Sequence, residues 1–395
     1  MSHSLYSPSA AHRWTVCPGS IVLEADCPDT SSEHADEGTA AHEVASLVLD
    51  GTYASTDDLL GRRVDVHERK TVVVNDEMAG YVQEYVDYVR ELATDGLLMV
   101  EQRVCFGEMI GADNAEAFGT ADAVVIVGEH MHVIDLKYGR GHKVAAEGNL
   151  QLVLYALGCL QEYSAIADIS EITMTIHQPR AGGVSSWTVT RAELERIADK
   201  VLKPAVKSVV KAKKAKAVEK HLRPSTAGCQ WCKAKATCPA LRQWVQDKTA
   251  MDFDDLSVPD VRQFKPDALA EAMAATDLVE AWVRAIRTEV ERRLHAGENV
   301  TGYKLVEGRK GARRWTDEAA AEEHLVAALQ HAAYEKKILT PAAAEKALKK
   351  HEVWPVLAEL TQQSAGSPTV APADDKRPAW SPAQQFDNLT TEDTP

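Results

Sequence analysis

The chain alternates between two kinds of hydrophobic pattern. Residues 36–49 and 75–94 carry apolar side chains every three or four positions, which predicts two amphipathic helices, the second with Asn75 as its N-cap. Segments rich in valine and isoleucine follow, separated by turn residues, and this pattern predicts strands. These segments are residues 97–106, 118–127 and 130–137.

The alternation continues into the middle of the chain. Residues 147–162 predict another helix, residues 171–178 and 184–189 two further strands, and residues 190–219 a long helix. Residues 1–30 lack either pattern and are predicted to be an irregular lead-in. A helix, three strands, a helix and a further strand in this order indicate an α/β fold, with a mixed sheet flanked by helices.

Beyond residue 260 the pattern becomes helical and then disappears. Residues 268–295 predict one long helix, with shorter helices after it. From residue 362 onward proline, serine, aspartate and glutamine dominate, which is typical of disorder. We therefore predict a first domain over residues 1–240, a mainly helical region over residues 260–361 and a disordered tail over residues 362–395.

Charge and composition narrow the possible function classes. A net charge of −15 argues against a protein that coats nucleic acid through bulk positive charge, but it permits an enzyme with a local basic groove. The lysine-rich segment 200–220 is one source of such a groove, or else a solvated helix face. The chain lacks an apolar run of the roughly 20 residues that span a bilayer, and its N-terminus lacks an apolar signal core. We therefore expect a cytoplasmic protein without a membrane partner.

Three charged residues on the predicted strands suggest hydrolytic chemistry. Asp122 opens one strand, and Asp135 and Lys137 close the next. Side chains alternate along a strand, so Asp135 and Lys137 share one face while Leu136 points into the core. If the two strands form a hairpin, Asp122 approaches Asp135. Two close carboxylates suit Mg²⁺ or Mn²⁺, and a neighbouring ammonium can orient water and offset phosphate charge, which is the equipment of phosphodiester hydrolysis.

Four of the seven cysteines suggest a second metal site. Cys229, Cys232 and Cys238 are closely spaced, and a fourth ligand has to come from elsewhere. Cys17 is our choice for it and Cys27 the reserve. A structural zinc more usually shows two close pairs, whereas three clustered cysteines and one remote one fit an iron–sulfur cluster better. Zinc and free thiols remain the alternatives.

Four short motifs carry a resemblance to a known family. They are GTAAH at 38–42, GTAD at 119–122, DLK at 135–137 and QLVLY at 151–155. In this order they resemble the RecB-type nucleases of the PD-(D/E)XK superfamily. The chain is similar to CRISPR-adaptation exonucleases, to AddB-like helicase–nuclease subunits and to phage and prophage proteins with a DLKYGRG stretch. The resemblance covers about residues 10–240 and implies a restriction-endonuclease-like core.

The resemblance implies a role for each matched residue. It implies a catalytic Mg²⁺ or Mn²⁺ held by His42, Asp122, Asp135 and the carbonyl of Leu136. It also implies that Asp122, Asp135, Lys137, Gln151 and Tyr155 form the catalytic group. Its split cysteine layout supports a structural 4Fe–4S cluster bound by Cys17, Cys229, Cys232 and Cys238.

Two further residues have an open role. Glu101 is either a supporting or second-metal carboxylate or a strand-surface residue. Arg180 is either a phosphate contact, since a guanidinium matches that geometry, or a surface arginine.

The function expected from these features is a metal-dependent DNA nuclease. The simplest form is an exonuclease that processes free DNA ends in phage recombination, replication or repair, with a recombinase or replication protein as a possible partner. It would act in the host cytoplasm if a phage encodes it. Exonuclease and endonuclease action stay open. The alternatives are a catalytically silent DNA-binding or assembly protein on a nuclease fold and, for residues 260–361, an interaction module.

Overall fold

The computed structural model describes most of the first 306 residues and part of the remainder. The described ranges are 4–25, 27–28, 33–66, 70–141, 143–249, 265–306, 341–348 and 351–361, with single positions between 322 and 330. Contacts divide the chain into two units, Met1–Val306 and Glu307–Pro395, which are described separately.

The first unit contains both helices and strands. Its α-helices are α1 (Ala11–Trp14), α2 (Ser20–Glu24), α3 (Glu33–Leu49), α4 (Asp76–Leu92), α5 (Gly107–Ile110), α6 (Leu150–Tyr163), α7 (Arg191–Ile197), α8 (Lys203–Lys214), α9 (Thr226–Cys229), α10 (Pro239–Thr249) and α11 (Pro266–His295). Its strands are β1 (Arg63–Asp65), β2 (Thr71–Val73), β3 (Leu97–Cys105), β4 (Phe118–Val127), β5 (His130–Leu136), β6 (Glu171–Gln178) and β7 (Gly183–Thr190).

A five-stranded mixed sheet organises this unit. Its strand order is β3-β4-β5-β6-β7, with β5 and β6 parallel and the other neighbours antiparallel. Helix α6 lies between β5 and β6 in the chain, as a parallel connection requires. The predicted α/β class, with a mixed sheet flanked by helices, is confirmed. The separate hairpin of β1 and β2 was not predicted, because three-residue strands are too short to show a period.

Helices cover the sheet on two sides, and each side has its own apolar core. On one side Leu152 and Leu157 of α6 pack with Val133 of β5. On the other side Val44 of α3 and Val82 of α4 belong to a second cluster that includes Ile134 of β5. Val133 and Ile134 are adjacent in the chain, so the alternating side chains of β5 contribute to both cores. The end of β5 therefore lies between α3 and α6.

Local sequence signals account for several helix boundaries. The side chain of Asn75 accepts a hydrogen bond from the Met78 amide, which confirms it as the N-cap of α4. Thr190 and Glu193 form a capping box at the start of α7. The predicted helix 190–219 continues through a π-helical turn at Ala198–Leu202 but ends at Lys214.

The lead-in is more regular than its sequence pattern indicates. A 3₁₀ turn at Pro8–Ala10 precedes α1 and α2, and each is five residues or shorter. Tertiary contacts support these helices, since the Trp14 ring is buried against Tyr6 and its indole N–H donates to the Ser7 carbonyl. The prediction of an irregular segment is wrong here because such short helices depend on packing and not on periodicity.

The long helix α11 belongs to the first unit. Its Leu278 packs with Cys229, Leu241 and Val245, so it covers the cysteine-bearing segment. The second unit contains α12 (Pro341–Leu348) and α13 (Trp354–Glu359), which contact each other. The predicted tail 362–395 lies outside the described residues. Among the helices described, none has both the length and the apolarity to cross a membrane.

Candidate functional site

Three neighbouring strands each carry a carboxylate near the end of β5. The register of these antiparallel strands opposes Ala123 to Ile134, so Asp122 and Asp135 are the next opposed pair. The register of β3 against β4 leaves Glu101 opposite Asp122. Opposed residues have Cβ atoms about 5 Å apart. The sheet therefore places acidic residues from three neighbouring strands side by side.

His42 completes a group that can hold a metal ion. Its Nδ1 atom lies 3.2 Å from Oδ1 of Asp122. One ligand atom from each of His42, Glu101 and Asp122 lies within 4.8 Å of the others. The second oxygen of Asp122 accepts a 2.7 Å hydrogen bond from the Leu136 amide, which fixes the carboxylate. Carboxylate oxygens with one imidazole suit a hard or borderline divalent cation such as Mg²⁺ or Mn²⁺.

The backbone of Glu101 is unusual for its residue type. Its φ is +47°, in the left-handed region that non-glycine residues seldom adopt. Strain of this kind costs on the order of 1–3 kcal/mol and concentrates at functional sites. The sequence left the role of Glu101 open, because a left-handed residue inside a strand has no signal in a hydrophobic pattern. Its conformation and its place beside Asp122 and His42 favour a ligand role.

A second group of contacts surrounds Asp135. Lys137 Nζ lies 2.8 Å from Asp135 Oδ2 and donates to Gln151 Oε1 at 3.2 Å. The Gln151 amide nitrogen donates to Asp135 Oδ1 at 2.9 Å and to the Tyr155 hydroxyl at 3.3 Å. Asn149 caps α6 by accepting from the amides of its first turn, so the start of the helix is fixed where Gln151 faces β5. The structure thus brings these predicted residues into one network.

The four predicted cluster cysteines line one small cavity. Cys17, Cys229, Cys232 and Cys238 all border it, although Cys17 lies far from the others in the chain. The Arg223 amide donates to Cys17 Sγ at 3.2 Å and joins positions 206 apart. The reserve candidate is elsewhere, since the Cys27 thiol donates to the Leu23 carbonyl at 3.4 Å. Cys17 therefore borders the same cavity as the three clustered cysteines, although no three of these four sulfur atoms lie within 4.8 Å of one another.

Comparison with protein families supplies a classification. A family described as "Protein of unknown function (DUF2800)" matches residues 3–378. The chain belongs to the DUF2800 family. The match includes both groups of side chains and helix α11, so both sites lie within the region shared with this family. The family description names no activity, so the function of this DUF2800 protein has to be inferred from the chemistry of the two sites.

The pKa values of His42 and Glu101 in the candidate metal site are set by burial and by neighbouring charges. Burial opposes protonation of His42, but the neighbouring carboxylates, Asp122 first, outweigh it and raise the pKa of His42 to about 9. Glu101 is exposed as a residue, yet desolvation of its carboxylate and then the charge of Asp122 raise its pKa to about 7. A metal ion would reverse both effects, because it favours neutral imidazole and ionised carboxylate.

Lys137 is held in its charged form. Burial lowers the pKa of its ammonium, but Asp135 beside it outweighs burial, and the net shift is upward. Burial also raises the pKa of Asp135, an effect that Lys137 opposes. In this DUF2800 protein Lys137 is therefore a fixed cation at neutral pH, suited to orient water or stabilise negative charge and unsuited to accept a proton.

The cysteines of this cavity would lose their protons to become thiolates only when a cation is bound. Burial raises the pKa of Cys17, Cys229 and Cys232, so the free thiols would be protonated. Lys235 and Arg223 also border the cavity and can offset the negative charge of a thiolate-bound centre. The chemistry of these four side chains therefore fits a thiolate-ligated metal centre.

Two basic features of the sequence have different surroundings. The side chain of Arg180 is only 8% exposed, with Nη1 3.1 Å from Glu37 Oε2 and its guanidinium over the Tyr138 ring. It holds the segment after Lys137 in place and does not lie on the surface. The lysines of α8 surround a buried stripe that includes Val206 and Val209, which fits a solvated helix face.

Proposed function

We propose that this DUF2800 protein is a metal-dependent DNA nuclease of the PD-(D/E)XK type. One observation carries the proposal: Asp122 and Asp135 are opposed across neighbouring strands, with His42 against the first and Lys137 against the second. Two carboxylates, an imidazole and a fixed cation are the side chains that phosphodiester hydrolysis needs. The four spaced motifs of the sequence support the same superfamily.

The residues divide into two tasks. His42, Glu101 and Asp122, whose ligand atoms lie within 4.8 Å of one another, would hold Mg²⁺ or Mn²⁺. Asp135, which is opposed to Asp122, and the Leu136 carbonyl are the further ligands that the superfamily resemblance implies. The bound ion would lower the pKa of a water molecule and neutralise phosphate charge. Lys137 orients that water and stabilises the charge that develops on phosphate. Gln151 keeps Lys137 and Asp135 aligned, since it contacts both.

The proposed substrate is DNA with free ends. The superfamily resemblance supports exonuclease action in phage recombination, replication or repair, inside the cytoplasm and beside a recombinase or replication protein. Digestion assays distinguish exonuclease from endonuclease action. The substrates are linear, circular and single-stranded DNA, end-labelled where possible and incubated with Mg²⁺ or Mn²⁺. Degradation of linear but not circular DNA supports an exonuclease. Nicking or linearisation of circles supports an endonuclease.

The decisive variants are Asp135→Asn and Lys137→Met. We expect each to lower the cleavage rate about 1,000-fold or more, because each removes a group placed at the reacting phosphate. Lys203→Met is a matched control, since Lys203 is also paired with an aspartate, Asp199, at 2.6 Å but lies on α8. Circular dichroism checks the fold. Wild-type cleavage by both site variants would contradict the proposal and favour a silent DNA-binding protein.

For the cysteine site we propose a structural 4Fe–4S cluster. A tetrahedral zinc with Zn–S bonds of about 2.3 Å places its sulfur atoms about 3.8 Å apart. Among the described residues, no three cysteine sulfurs lie within 4.8 Å of one another. The proposal of an iron–sulfur cluster rests on the layout of the cysteines in the chain, because three are closely spaced and one is remote. Elemental analysis of anaerobically purified protein should find iron. About one zinc per chain without iron would contradict the cluster and indicate a structural zinc site at these cysteines.

A further inference from the structure

A cleft connects the candidate active site to the cysteine-bearing segment. It encloses about 980 Å³ and is bordered by Lys137 and Gln151 at one part and by Gln230 and Trp231 at another. The wall of the cleft also includes the 3₁₀ turn Pro8–Ala10 and residues of α1. Anything bound along the cleft would therefore contact both the proposed catalytic lysine and the segment between two cluster cysteines.

The side chain of Trp231 is exposed, whereas its backbone is firmly held. The residue is 64% exposed, and it stands between the buried Cys229 and Cys232. Its carbonyl accepts a 3.1 Å hydrogen bond from the guanidinium of Arg13, a charged residue that is itself buried. An exposed indole on a fixed backbone presents a flat apolar face at little cost in conformational entropy.

The support behind Trp231 reaches across the chain. Arg13 is paired with Glu24 at 2.9 Å, and the other oxygen of Glu24 accepts from the Lys233 amide at 2.7 Å. The segment around Trp231 is thus fixed on both flanks to the N-terminal helices α1 and α2. A buried charge needs a partner, and the partner of buried Arg13 is the half-buried Glu24, so this ion pair positions a single turn of backbone.

We infer that the cleft binds a single DNA strand and that Trp231 stacks on one of its bases. The choice of nucleic acid rests on the proposed function. An indole face contributes affinity by stacking on the face of an unpaired base, whereas the bases of a duplex interior are already stacked on their neighbours. Trp231 is therefore the residue that selects single strands, and Lys137 lies where the same strand can reach it.

The test is equilibrium binding measured without added divalent cations, so that cleavage does not interfere. Fluorescence anisotropy with a labelled single strand and with the blunt duplex of the same sequence compares the full-length wild type with Trp231→Ala, Trp231→Phe and Tyr303→Ala. Tyr303 is the matched control, because it is 68% exposed and does not border the cleft. Iron content and thermal unfolding confirm that each variant keeps its fold and its cysteine site.

We expect Trp231→Ala to weaken single-strand binding about ten-fold or more, as loss of one stacked base predicts. Trp231→Phe should keep most of the affinity, and Tyr303→Ala and the duplex should change less than two-fold. Equal loss for both DNA forms, unchanged binding by Trp231→Ala, or no binding by the wild type would overturn the inference. Cleavage assays separate it from the proposed function: Trp231-dependent binding without any cleavage supports the strand site and contradicts the nuclease.

Discussion

The two candidate sites of this protein are built in opposite ways. The carboxylates of the candidate active site lie on neighbouring strands of one sheet, where backbone hydrogen bonds fix their register. The cysteine site joins short helices and loops from the start of the chain and from beyond residue 220. The first site is preformed by secondary structure, whereas the second would depend on the metal centre that we propose for the cysteines.

This difference has an energetic consequence. Closing a loop of some two hundred residues costs chain entropy, and a metal centre that closes it contributes directly to folding. The sheet has its own buried clusters on both sides and needs no ion to persist. Loss of the catalytic metal should therefore abolish activity at the first site without unfolding it. Loss of the proposed cysteine-bound metal should unfold the second site.

The largest expected effect follows from breaking the cysteine site. Cys17→Ser should lower the melting temperature by on the order of 10 °C and reduce solubility, because one ligand of the centre is lost. Cys105→Ser is the control, since Cys105 is on β3 and does not border the cavity. Differential scanning fluorimetry measures both, with Asp135→Asn expected close to the wild type. If Cys27→Ser proves the sensitive variant, the fourth ligand is misassigned.

The second prediction concerns pH and the preformed site. Metal binding requires neutral His42 and ionised Glu101, whose pKa values in the free protein are about 9 and about 7. Binding must therefore displace up to two protons below pH 7 and one between pH 7 and 9, so Mn²⁺ affinity should rise with pH. We expect an increase of more than about 100-fold from pH 6 to 8.5.

A variant separates the two titrating groups. Glu101→Gln has no proton to lose at this position. Its Mn²⁺ affinity should therefore still rise with pH above pH 7, but it should lose the steeper rise that the wild type shows below pH 7. Isothermal titration calorimetry in two buffers of different ionisation enthalpy counts the protons released. An affinity independent of pH would mean that His42 is not a ligand.

The sequence predicted the sheet and its charged strand ends because both are local properties. The pattern from residue 97 to residue 137 predicts β3, β4 and β5 to within one residue at each end. Side-chain alternation predicted a shared face for Asp135 and Lys137, which contact each other in the structure. His42, Gln151 and Tyr155 came only from the resemblance, since nothing in a helix pattern distinguishes them.

Features set by tertiary packing had no such signal. The left-handed conformation of Glu101 depends on the strands around it and not on its neighbours in the chain. Arg180 looks like a surface residue in sequence, but Glu37 and the Tyr138 ring bury it. The exposed position of Trp231 could not be predicted from the sequence. It depends on the hydrogen bond between Arg13 and the Trp231 carbonyl, which joins segments more than 200 positions apart.

The third prediction tests how rigidly the sheet alone holds the candidate active site. Gln151 comes from α6 and joins Lys137 to Asp135 across the gap between helix and sheet. Gln151→Leu removes both contacts at similar volume and should lower the cleavage rate about 10- to 100-fold, as is typical for partners of metal ligands. The melting temperature should change little. Gln151→Glu is a poor substitute, because it adds a charge beside Asp135.

Cleavage by Gln151→Leu at nearly the wild-type rate would mean that β4 and β5 position the reacting groups without help from α6. A loss above 1,000-fold would instead place Gln151 in direct contact with the reacting phosphate or its water.

The smallest expected effect belongs to Tyr155. Burial, reinforced by Asp135, raises the pKa of its hydroxyl well above the usual value, so it stays protonated at every working pH and cannot serve as a base. Within the part of the chain that the structure describes, its hydroxyl accepts one hydrogen bond, from Gln151 at 3.3 Å, and a net hydrogen bond contributes roughly 0.5–1.5 kcal/mol. Tyr155→Phe should therefore slow cleavage only about two- to ten-fold, measured as kcat on linear DNA. In Gln151→Leu the same change should have no further effect, since its partner is already gone. An additive loss in the double variant would show that the hydroxyl acts on the DNA and not through Gln151.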